Sequence, residues 1–459
     1  MDKRFNLFGY VTAFVIFLHA GSAYAAFFQL AENSPAGLGN AFAGGAAIAE
    51  NASTVWYNPA GLTRLSGTEL DAGAHAIRPS IQFSKTSATT RLGTPLTGSD
   101  GGDAGESAVV PNIYFSHRIN GRMVFGLGIT VPFGLATDYE DTWVGRYHAD
   151  RSDIRTLNIN PGLGYRVNDE LSLGAGLNYQ KIDAELGQWA DLGTGCTLAQ
   201  APFGSLPAGT CAALGLASQQ DDAKVVVNAD DTSYGFNLGM LWEPSKEQRL
   251  GLAYRSAIKH HLTGSVDVTT YDAGQAAFAS NPLVNLVDGG AGAYVTLPAT
   301  LSLSGFMQLN PQWALMGDIT RTYWSTLPEL RINFASGAAD SVVTLNLNDV
   351  NRYALGAIYS PGGSWAYRAG VALDQTPTPD AAHRTPRLPD ENRQWFAVGA
   401  GYKSSDQFAF DVAFAYLKIA EADINKSALD SENTTRGSLS GQYSSNTKIL
   451  SAQLRWMIK

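Results

Sequence analysis

Charged residues and long apolar runs are both scarce in this chain of 459 residues. Charged residues make up 16% of it, against about a quarter in an average soluble protein. The formal net charge of -9 offers no basic surface for nucleic acid. After residue 25 no stretch has the roughly 18 uninterrupted apolar residues of a transmembrane helix. These absences argue against a helical membrane protein and against a nucleic-acid partner.

The N-terminus has the pattern of a secretory signal peptide, predicted at residues 1–25. Two basic residues precede an apolar run at residues 10–18, and a small-residue cleavage motif ends at Ala25. The apolar run is too short to span a bilayer as a helix. We therefore expect an exported protein whose mature chain begins at Ala26.

Cysteine is also scarce, and the two that occur, Cys196 and Cys211, share one polar, Gly-rich segment. Exported proteins fold in oxidising compartments, so the pair is predicted to form a disulfide. Two unrelated free thiols are the alternative. A metal site would need further ligands at suitable spacing, and the sequence shows none.

From Thr68 onward the dominant pattern is a period of two, in stretches of about ten residues. The opposite face holds Gly, Ala, Ser, Thr and Asn rather than charge, which is typical of lipid outside and a filled or polar lumen inside. Backbone hydrogen bonds in a bilayer must close on themselves, so the pattern predicts a barrel. A soluble all-β sandwich is the alternative. One apolar face holds Phe408, Phe410, Val412, Phe414 and Tyr416.

Short and long connections alternate along the chain. Short periplasmic turns between long outer loops are typical of an outer-membrane barrel. Six short turns and seven long loops separate fourteen antiparallel strands, predicted within residues 67–459. The short turns lie at 119–121, 167–170, 245–248, 310–312, 361–364 and 404–406, and the long loops near 84–106, 137–152, 186–228, 263–293, 328–348, 378–390 and 420–444.

Residues 26–66 differ from everything that follows. They are rich in Gly, Ala and Asn and do not alternate, so they are the candidate for a small plug inside the barrel. Leu38, Phe42 and Ala46 have helical spacing and predict a turn or two of helix. The tripeptide Asn58-Pro59-Ala60 that follows predicts a tight turn. Taken alone, the segment also fits an ordinary surface loop.

The start AFFQL and the run GLGNAFAGGAAIAENASTVWYNPAGL (residues 37–62) resemble the amino-terminal hatch of the FadL family. These are outer-membrane long-chain fatty acid and hydrocarbon transporters of Gram-negative bacteria. The resemblance implies a fourteen-stranded barrel plugged by a hatch, and it spans nearly the whole mature chain. The barrel is expected to be a monomer. Phe27 replaces the Gly of the family's start. Further similarities lie at Val131–Thr137, Leu297–Thr300 and Leu388–Asp390.

The third predicted strand, residues 123–135, carries Pro132 and Gly134 near its outer part. Pro cannot donate to the strand ladder and Gly weakens a strand interior, so this strand is predicted to bulge or kink. The resemblance implies a lateral exit into the membrane at Pro132, Phe133 and Gly134. A strand end where the loop simply begins is the alternative.

Two long loops, 186–228 and 263–293, mix apolar with polar residues and predict a landing surface for apolar molecules. Packing of the loops on one another would explain the same residues without a ligand. By the resemblance, substrate would pass from there to an apolar pocket at the hatch, with Phe28 and Leu30 as candidate ligand-binding residues.

A fatty acid would also need a cation near its buried carboxylate. The alternation offers Arg255 and Arg455 on the lumen side. A structural ion pair with Asp318 or Asp411 is the alternative for either residue.

The sequence predicts no enzyme and no cofactor, because it lacks a Gly-x-Ser-x-Gly elbow, a His-Glu-x-x-His motif and a phosphate loop. The predicted function is passive uptake of hydrophobic small molecules, long-chain fatty acids first. An aromatic hydrocarbon channel of the same family is the alternative. A diffusion porin and a structural or adhesive barrel rank below these. The expected partners are an apolar substrate and outer-membrane lipid.

Overall fold

The computed structural model describes residues 27–200 and 202–458. The predicted signal peptide and Ala26 lie outside these residues. Twenty strand segments form one antiparallel sheet. They are β1 (Thr68–Thr89), β2 (Ala108–Arg118), β3 (Met123–Thr130), β4 (Gly134–Asp138), β5 (Arg151–Arg166), β6 (Leu171–Asp191), β7 (Asp222–Trp242), β8 (Gln248–Arg255), β9 (Ile258–Thr269), β10 (Gly289–Leu297), β11 (Thr300–Gln308), β12 (Trp313–Thr322), β13 (Glu329–Phe334), β14 (Ser341–Thr344), β15 (Val350–Tyr359), β16 (Trp365–Asp374), β17 (Arg393–Lys403), β18 (Phe408–Ile419), β19 (Ala422–Lys426) and β20 (Ser438–Ile458).

The sheet closes on itself. β1 pairs with β20 from Thr68 opposite Ile458 to Thr89 opposite Ser438. Six barrel strands consist of two consecutive segments, namely β3/β4, β8/β9, β10/β11, β12/β13, β14/β15 and β18/β19. Twenty segments therefore make fourteen strands, which confirms the predicted closed barrel.

The alternating side chains divide between lipid and lumen as expected. On β18, Val412 is 55% exposed on the outside, whereas its neighbours Asp411 and Ala413 are buried inside. The aromatic residues Phe408, Phe410 and Phe414 share the outer face with Val412. Burial of small residues on the inner face leaves room for the N-terminal part of the chain.

The outer ends of two strands, β6 and β7, extend further from the membrane than the sequence predicted. β6 and β7 stay paired as far as Asp191 opposite Asp222, so the loop between them covers 192–221 rather than 186–228. Leu186, Val225 and Val227 of the extension pack into a buried apolar cluster on its inner side. The backbone ladder can therefore continue beyond the lipid-facing alternation. Two short helices, α4 (Leu192–Ala199) and α5 (Thr210–Ala213), lie in this loop.

The predicted disulfide forms between α4 and α5. Cys196 and Cys211 have Cα atoms 5.8 Å apart, and both are buried among the apolar residues of this outer loop. Phe278 of α6 (Ala273–Ala279) in the next long loop packs into the same cluster. The two loops therefore form one outer layer over part of the barrel.

The N-terminal segment, residues 27–67, is folded and mostly buried. It contains three helices of one turn each, α1 (Pro35–Leu38), α2 (Gly45–Ile48) and α3 (Thr54–Tyr57), and a 3-10 helix of two turns, Pro59–Arg64. Two further 3-10 turns lie elsewhere, at Trp324–Thr326 and Ser431–Asn433.

The predicted helix through Leu38, Phe42 and Ala46 is wrong. Ala41 and Phe42 have φ of 52° and 56°, in the left-handed region that breaks a helix. Leu38 ends α1, Ala46 belongs to α2, and Phe42 lies between the two helices. The three residues are spaced as in a helix because each is buried, although they do not share one helix. The Asn58-Pro59-Ala60 turn is present, with Pro59 opening the 3-10 helix.

Glycines in the barrel wall allow the N-terminal segment to pack closely against the wall. A Cβ at Gly370 on β16 would collide with the backbone of Asn40, and one at Gly174 on β6 with the backbone of Ala60. The segment thus touches the wall on well-separated strands, and its backbone comes as close as a glycine allows. Among the described residues no helix is long and apolar enough to cross a membrane.

Candidate functional site

The third barrel strand is interrupted between Thr130, where β3 ends, and Gly134, where β4 begins. β2 pairs with β3 only as far as Ile113 opposite Ile129. Beyond that point residues 108–112 of β2 pair with β1 alone. Pro132 has no N–H to donate, which accounts for the loss of the ladder at this point. The wall between the second and third strands therefore lacks its normal backbone pairing here.

The N-terminal segment takes the place of the missing partner. Leu30 N donates to Pro132 O at 2.8 Å, and Gly134 N donates to Phe28 O at 3.0 Å. Gln29 and Phe133 form an antiparallel bridge between these two bonds. Residues 28–30 thus act as a short strand that pairs with the break from the inside.

The same residues fill an apolar space. Phe27, Phe28, Phe133 and Trp324 form an aromatic cluster with ring centroids 5.2 to 6.2 Å apart. Trp324 lies in the loop after β12 and is fully buried. Aliphatic side chains from the outer parts of the barrel surround the four rings, among them Leu262, Val295, Leu297, Leu345, Leu347 and Val350.

A buried carboxylate fixes the start of the segment. Asp390 accepts from Phe27 N at 3.1 Å through Oδ2, and from Arg393 Nη2 at 2.8 Å through Oδ1. Arg393 Nη2 also donates to Phe27 O at 2.7 Å. Thr376 Oγ1 donates to Asp390 Oδ2 at 2.8 Å. Both backbone groups of Phe27 thus make charge-assisted hydrogen bonds, which must break if the start of the segment is to move.

A polar cavity of about 120 Å³ lies next to the aromatic cluster. Leu30, Arg255 and Arg352 line it, together with Asp318 and Asp374. Arg255 stacks on the Trp56 ring at 3.5 Å and donates to Trp56 O at 2.7 Å. Among described residues neither arginine has a carboxylate oxygen within 4 Å.

Glu32 of the N-terminal segment lies close to this cavity and is almost fully buried. Burial raises the pKa of its carboxyl to about 7, although Arg393 and Arg352 partly oppose the shift. A carboxyl with this pKa changes its charge near neutral pH. Its state therefore bears on how tightly the segment stays docked.

Asn58 attaches the segment to the wall at a second place. Its Nδ2 donates to Ala46 O at 2.7 Å and to Met240 O on β7 at 2.9 Å, and its Oδ1 accepts from Ala60 N at 3.1 Å. One side chain thus joins two parts of the segment to a barrel strand. Pro59 follows Asn58 and starts the 3-10 helix without needing a donor.

Arg455 does not line this cavity, and it has the structural ion pair with Asp411 that was the alternative expectation for this residue. Its guanidinium lies 3.6 Å from Asp411 and donates to Glu50 O at 3.0 Å. Arg368 bridges Asp411 at 2.6 Å and Glu50 at 3.2 Å. Burial opposes ionisation of Glu50, but Arg368 and Arg455 outweigh it and hold its pKa below the ordinary value. This network joins the segment to the wall.

Three functional candidates escaped the sequence reasoning: Trp324, Arg352 and the pair Asp390 and Arg393. Asp390 did lie in the Leu388–Asp390 similarity, which was the available signal. Trp324 carries no local signal, because only the closed barrel brings it to Phe27 and Phe28.

The outer loops bury part of their apolar content and expose the rest. Leu192 and Phe278 pack around the disulfide, as the packing alternative predicted. Phe203, Tyr271 and Leu283 remain 66%, 61% and 63% exposed. An exposed apolar surface therefore exists beside the barrel entrance.

A closed barrel with an apolar belt, interrupted at one strand and filled by its own N-terminal segment, defines an outer-membrane transport protein. Residues 16–457 match the family model described as outer membrane protein transport protein (OMPP1/FadL/TodX). The long-chain fatty acid transport protein of Escherichia coli (strain K12) is 31% identical over 94% of this chain and 96% of its own. Outer membrane protein P1 of Haemophilus influenzae is 33% identical, covering 91% of this chain and 90% of its own.

The crystal structure of a Pseudomonas aeruginosa FadL homologue has a TM-score of 0.87 at 28% identity, covering 95% of this chain and 100% of that one. The CymD monoaromatic hydrocarbon channel has a TM-score of 0.64 at 21% identity, covering 94% and 99%, and shows the shared fold alone. The chain belongs to the FadL family. It is an outer-membrane transporter of a Gram-negative bacterium, and not an enzyme.

Proposed function

We propose that this chain takes up long-chain fatty acids passively and releases them sideways into the membrane. Substrate lands on the exposed apolar part of the outer loops and moves to the aromatic cluster. It displaces Phe27 and Phe28 and leaves through the break at Pro132, Phe133 and Gly134. In this proposal residues 26–66 are a hatch, and residues 67–459 are a barrel that works as a monomer.

One observation carries the proposal: residues 28–30 both seal the wall and fill the apolar space. Phe28 accepts from Gly134 through its carbonyl while its ring lies 5.7 Å from that of Phe133. A ligand that takes the place of the ring must move the backbone that carries it. Filling the pocket and opening the wall would then be one event.

The two arginines of the cavity are the groups that a carboxylate-bearing cargo would use, although Asp318 and Asp374 line the same cavity. Arg255 donates to Asn178 Oδ1 and Trp56 O, and Arg352 donates to Ala41 O. These partners are neutral and no acid lies within 4 Å among the described residues, so a ligand carboxylate would supply the anionic partner that a desolvated cation favours. The acyl chain would contribute about 0.8 kcal/mol for each CH₂ buried in the aromatic cluster. An aromatic hydrocarbon would use the cluster but not the arginines.

The hatch has a tight and a movable end in this proposal. Asn58 and the network of Glu50, Arg368 and Asp411 hold the inner part on the wall. Residues 27–30 depend on Asp390, Arg393 and the break itself. Release of the latter contacts would free the start of the chain as far as Glu32, without undocking the inner part.

The test is uptake by cells that lack their own transporter and carry this gene. Gly134→Val puts its Cβ at 3.1 Å from Leu30 Cδ1, and Pro132→Ala restores a backbone donor in the break. We expect the double variant to abolish uptake of a long-chain fatty acid. Gly305→Val, whose Cβ meets nothing closer than Leu250 Cδ2 at 3.7 Å, is the matched control and should transport normally.

Toluene uptake measured in parallel separates the cargo classes. If the parent protein transports toluene but not fatty acid, the proposed mechanism stands and the proposed substrate becomes an aromatic hydrocarbon. Normal fatty acid uptake by the double variant, with the barrel folded, would refute lateral release at this break.

A further inference from the structure

Three basic residues lie side by side on the outer surface of the barrel. Arg78 of β1 is directly opposite Lys448 of β20. Lys448 is opposite Tyr416 of β18, and Lys418 follows two residues along on the same face. Opposed residues have Cβ atoms about 5 Å apart and diagonal ones about 7–8 Å, so the charges form one patch. All three are exposed.

The basic patch, Arg78, Lys418 and Lys448, marks the outer edge of the apolar belt. Each residue lies ten positions from the periplasmic end of its strand. Ten residues rise about 33 Å along a strand, and a tilt of about 40° reduces this to about 25 Å, the height of the lipid-facing band.

Side chains on either side of the patch agree with this position. Below it the outward face holds large apolar residues, including Phe410, Val412, Phe414, Leu450 and Leu454. Above it the outward positions of β1 and β20 are polar: Ser80, Gln82, Ser444 and Asn446. The patch therefore lies at the level of the lipid headgroups.

The patch has no acidic partner within the barrel. Among described residues no carboxylate lies within 4 Å of the charged atoms of Arg78, Lys418 or Lys448. Two nearby acids are engaged one level further out: Asp103 accepts from Ser80 Oγ, and Asp423 accepts from Gln442 Nε2. The third, Glu421, is exposed three residues after Lys418 and has no cation within 4 Å among the described residues. Like charges directly opposite each other in a ladder are destabilising, so an anion outside the chain would relieve this arrangement.

Two other outward-facing cations at similar height are compensated. Lys181 of β6 pairs with Asp183 at 2.5 Å, and Arg155 of β5 pairs with Asp153. Lys259 of β9 is also exposed and has no carboxylate within 4 Å among the described residues, but it lies alone. Arg78, Lys418 and Lys448 differ from it in lying side by side where β1, β20 and β18 meet. This contrast supplies a matched control.

We propose that the basic patch binds a phosphate group of a phosphorylated glycolipid in the outer leaflet. Arg78 can take two phosphate oxygens with its planar guanidinium, while Lys448 and Lys418 supply point charges beside it. The acyl chains of the same lipid would lie against the apolar residues below the patch. The lipid would thereby join the three strands at the closing seam of the barrel.

The experiment uses the folded full-length barrel in detergent, with bound lipid counted by native mass spectrometry. The probes are bisphosphorylated lipid A, the same glycolipid with its phosphates removed, and phosphatidylglycerol. We expect the parent to prefer the bisphosphorylated form. Neutralising one residue should weaken binding about five-fold, and the triple variant Arg78→Gln/Lys418→Gln/Lys448→Gln on the order of 100-fold.

The control Lys181→Gln should bind as the parent does. Equal binding of the triple variant and the parent would overturn the proposal, and so would equal binding of the dephosphorylated glycolipid. If phosphatidylglycerol binds as tightly as bisphosphorylated lipid A, the proposal is also refuted, because the patch would then respond to negative charge alone. Folding of each variant is checked by the heat-dependent gel shift of the barrel. If the triple variant does not fold, the single variant Lys448→Gln is used instead, and the proposal requires it to bind about five-fold more weakly than the parent.

Discussion

Replacing Phe28 by alanine should tighten the binding of an apolar ligand rather than weaken it. Phe28 is buried in the aromatic cluster, where its ring lies 5.7 Å from Phe133 and 5.2 Å from Trp324. In the proposed mechanism the ring occupies the space that the ligand needs. Its removal therefore lowers the cost of displacing the N-terminal segment.

The size of the effect follows from the burial of the ring. Burying a Phe side chain contributes about 1.5–3 kcal/mol, and ring pairing adds about 0.5–1.5 kcal/mol. If only about 2 kcal/mol of this favours the closed state, a ligand that binds the open state gains about 30-fold in apparent affinity. The variant Phe27→Ala/Phe28→Ala should gain more.

The assay is competition with a fluorescent fatty acid on the purified, folded barrel. Phe83→Ala removes an equally buried ring from the outer-loop cluster around Trp143 and Tyr443, and should leave the affinity unchanged. Weaker ligand binding by Phe28→Ala would mean that the ring is a wall of the ligand pocket. That result would refute the reasoning that it competes with the ligand.

Three further predictions concern the wall, the loop and the pH response. Gly174→Val should expel the segment at Ala60 and raise uptake of a small hydrophilic dye, whereas the Gly305→Val control should not. Replacing both cysteines by serine should cost about 3 kcal/mol of loop stability and speed proteolysis of the outer loop while the barrel keeps its heat-dependent gel shift. The Glu32 carboxyl, with a pKa near 7 when docked and 4.5 ordinarily, favours the docked state at low pH. An uncharged apolar ligand should therefore bind more tightly as pH rises from 4.5 to 7, and Glu32→Gln should abolish this trend, because the docked state no longer gains a proton. Unchanged affinity in the parent across that range would contradict the role given to Glu32.

The barrel could be predicted from the sequence because its determinants are local. Alternation with period two reports which side chains face lipid, and the lengths of the connections report on which side of the membrane each turn lies. Strand ends were less predictable: Leu186 to Asp191 pair with β7 although they lack the apolar alternation. Ladder bonds extend there because both strands continue, which no single stretch of sequence reveals.

The site was only partly predictable, since its contacts join distant parts of the chain. Phe27 N and Asp390 are 363 positions apart, and the bond between them exists only once the barrel is closed. Arg255 and Arg455 both alternate toward the lumen, yet they differ in what surrounds them. The first lines the cavity, whereas the second is held by Asp411 and the backbone of Glu50. The alternation of side chains along a strand predicts that a residue faces the lumen, but it does not predict which groups the residue will contact there.

The arrangement explains how a passive transporter could open only when it carries cargo. With Phe28 in the aromatic cluster, residues 28–30 pair with Pro132 and Gly134, and the wall is closed. A hydrophilic solute gains nothing by entering the cluster, so it does not shift the segment between its two states. An acyl chain offsets the lost ring contacts by its own burial, at about 0.8 kcal/mol for each CH₂. A few methylene groups therefore suffice to compete with one Phe ring, and chain length rather than an external energy source would set how often the wall opens.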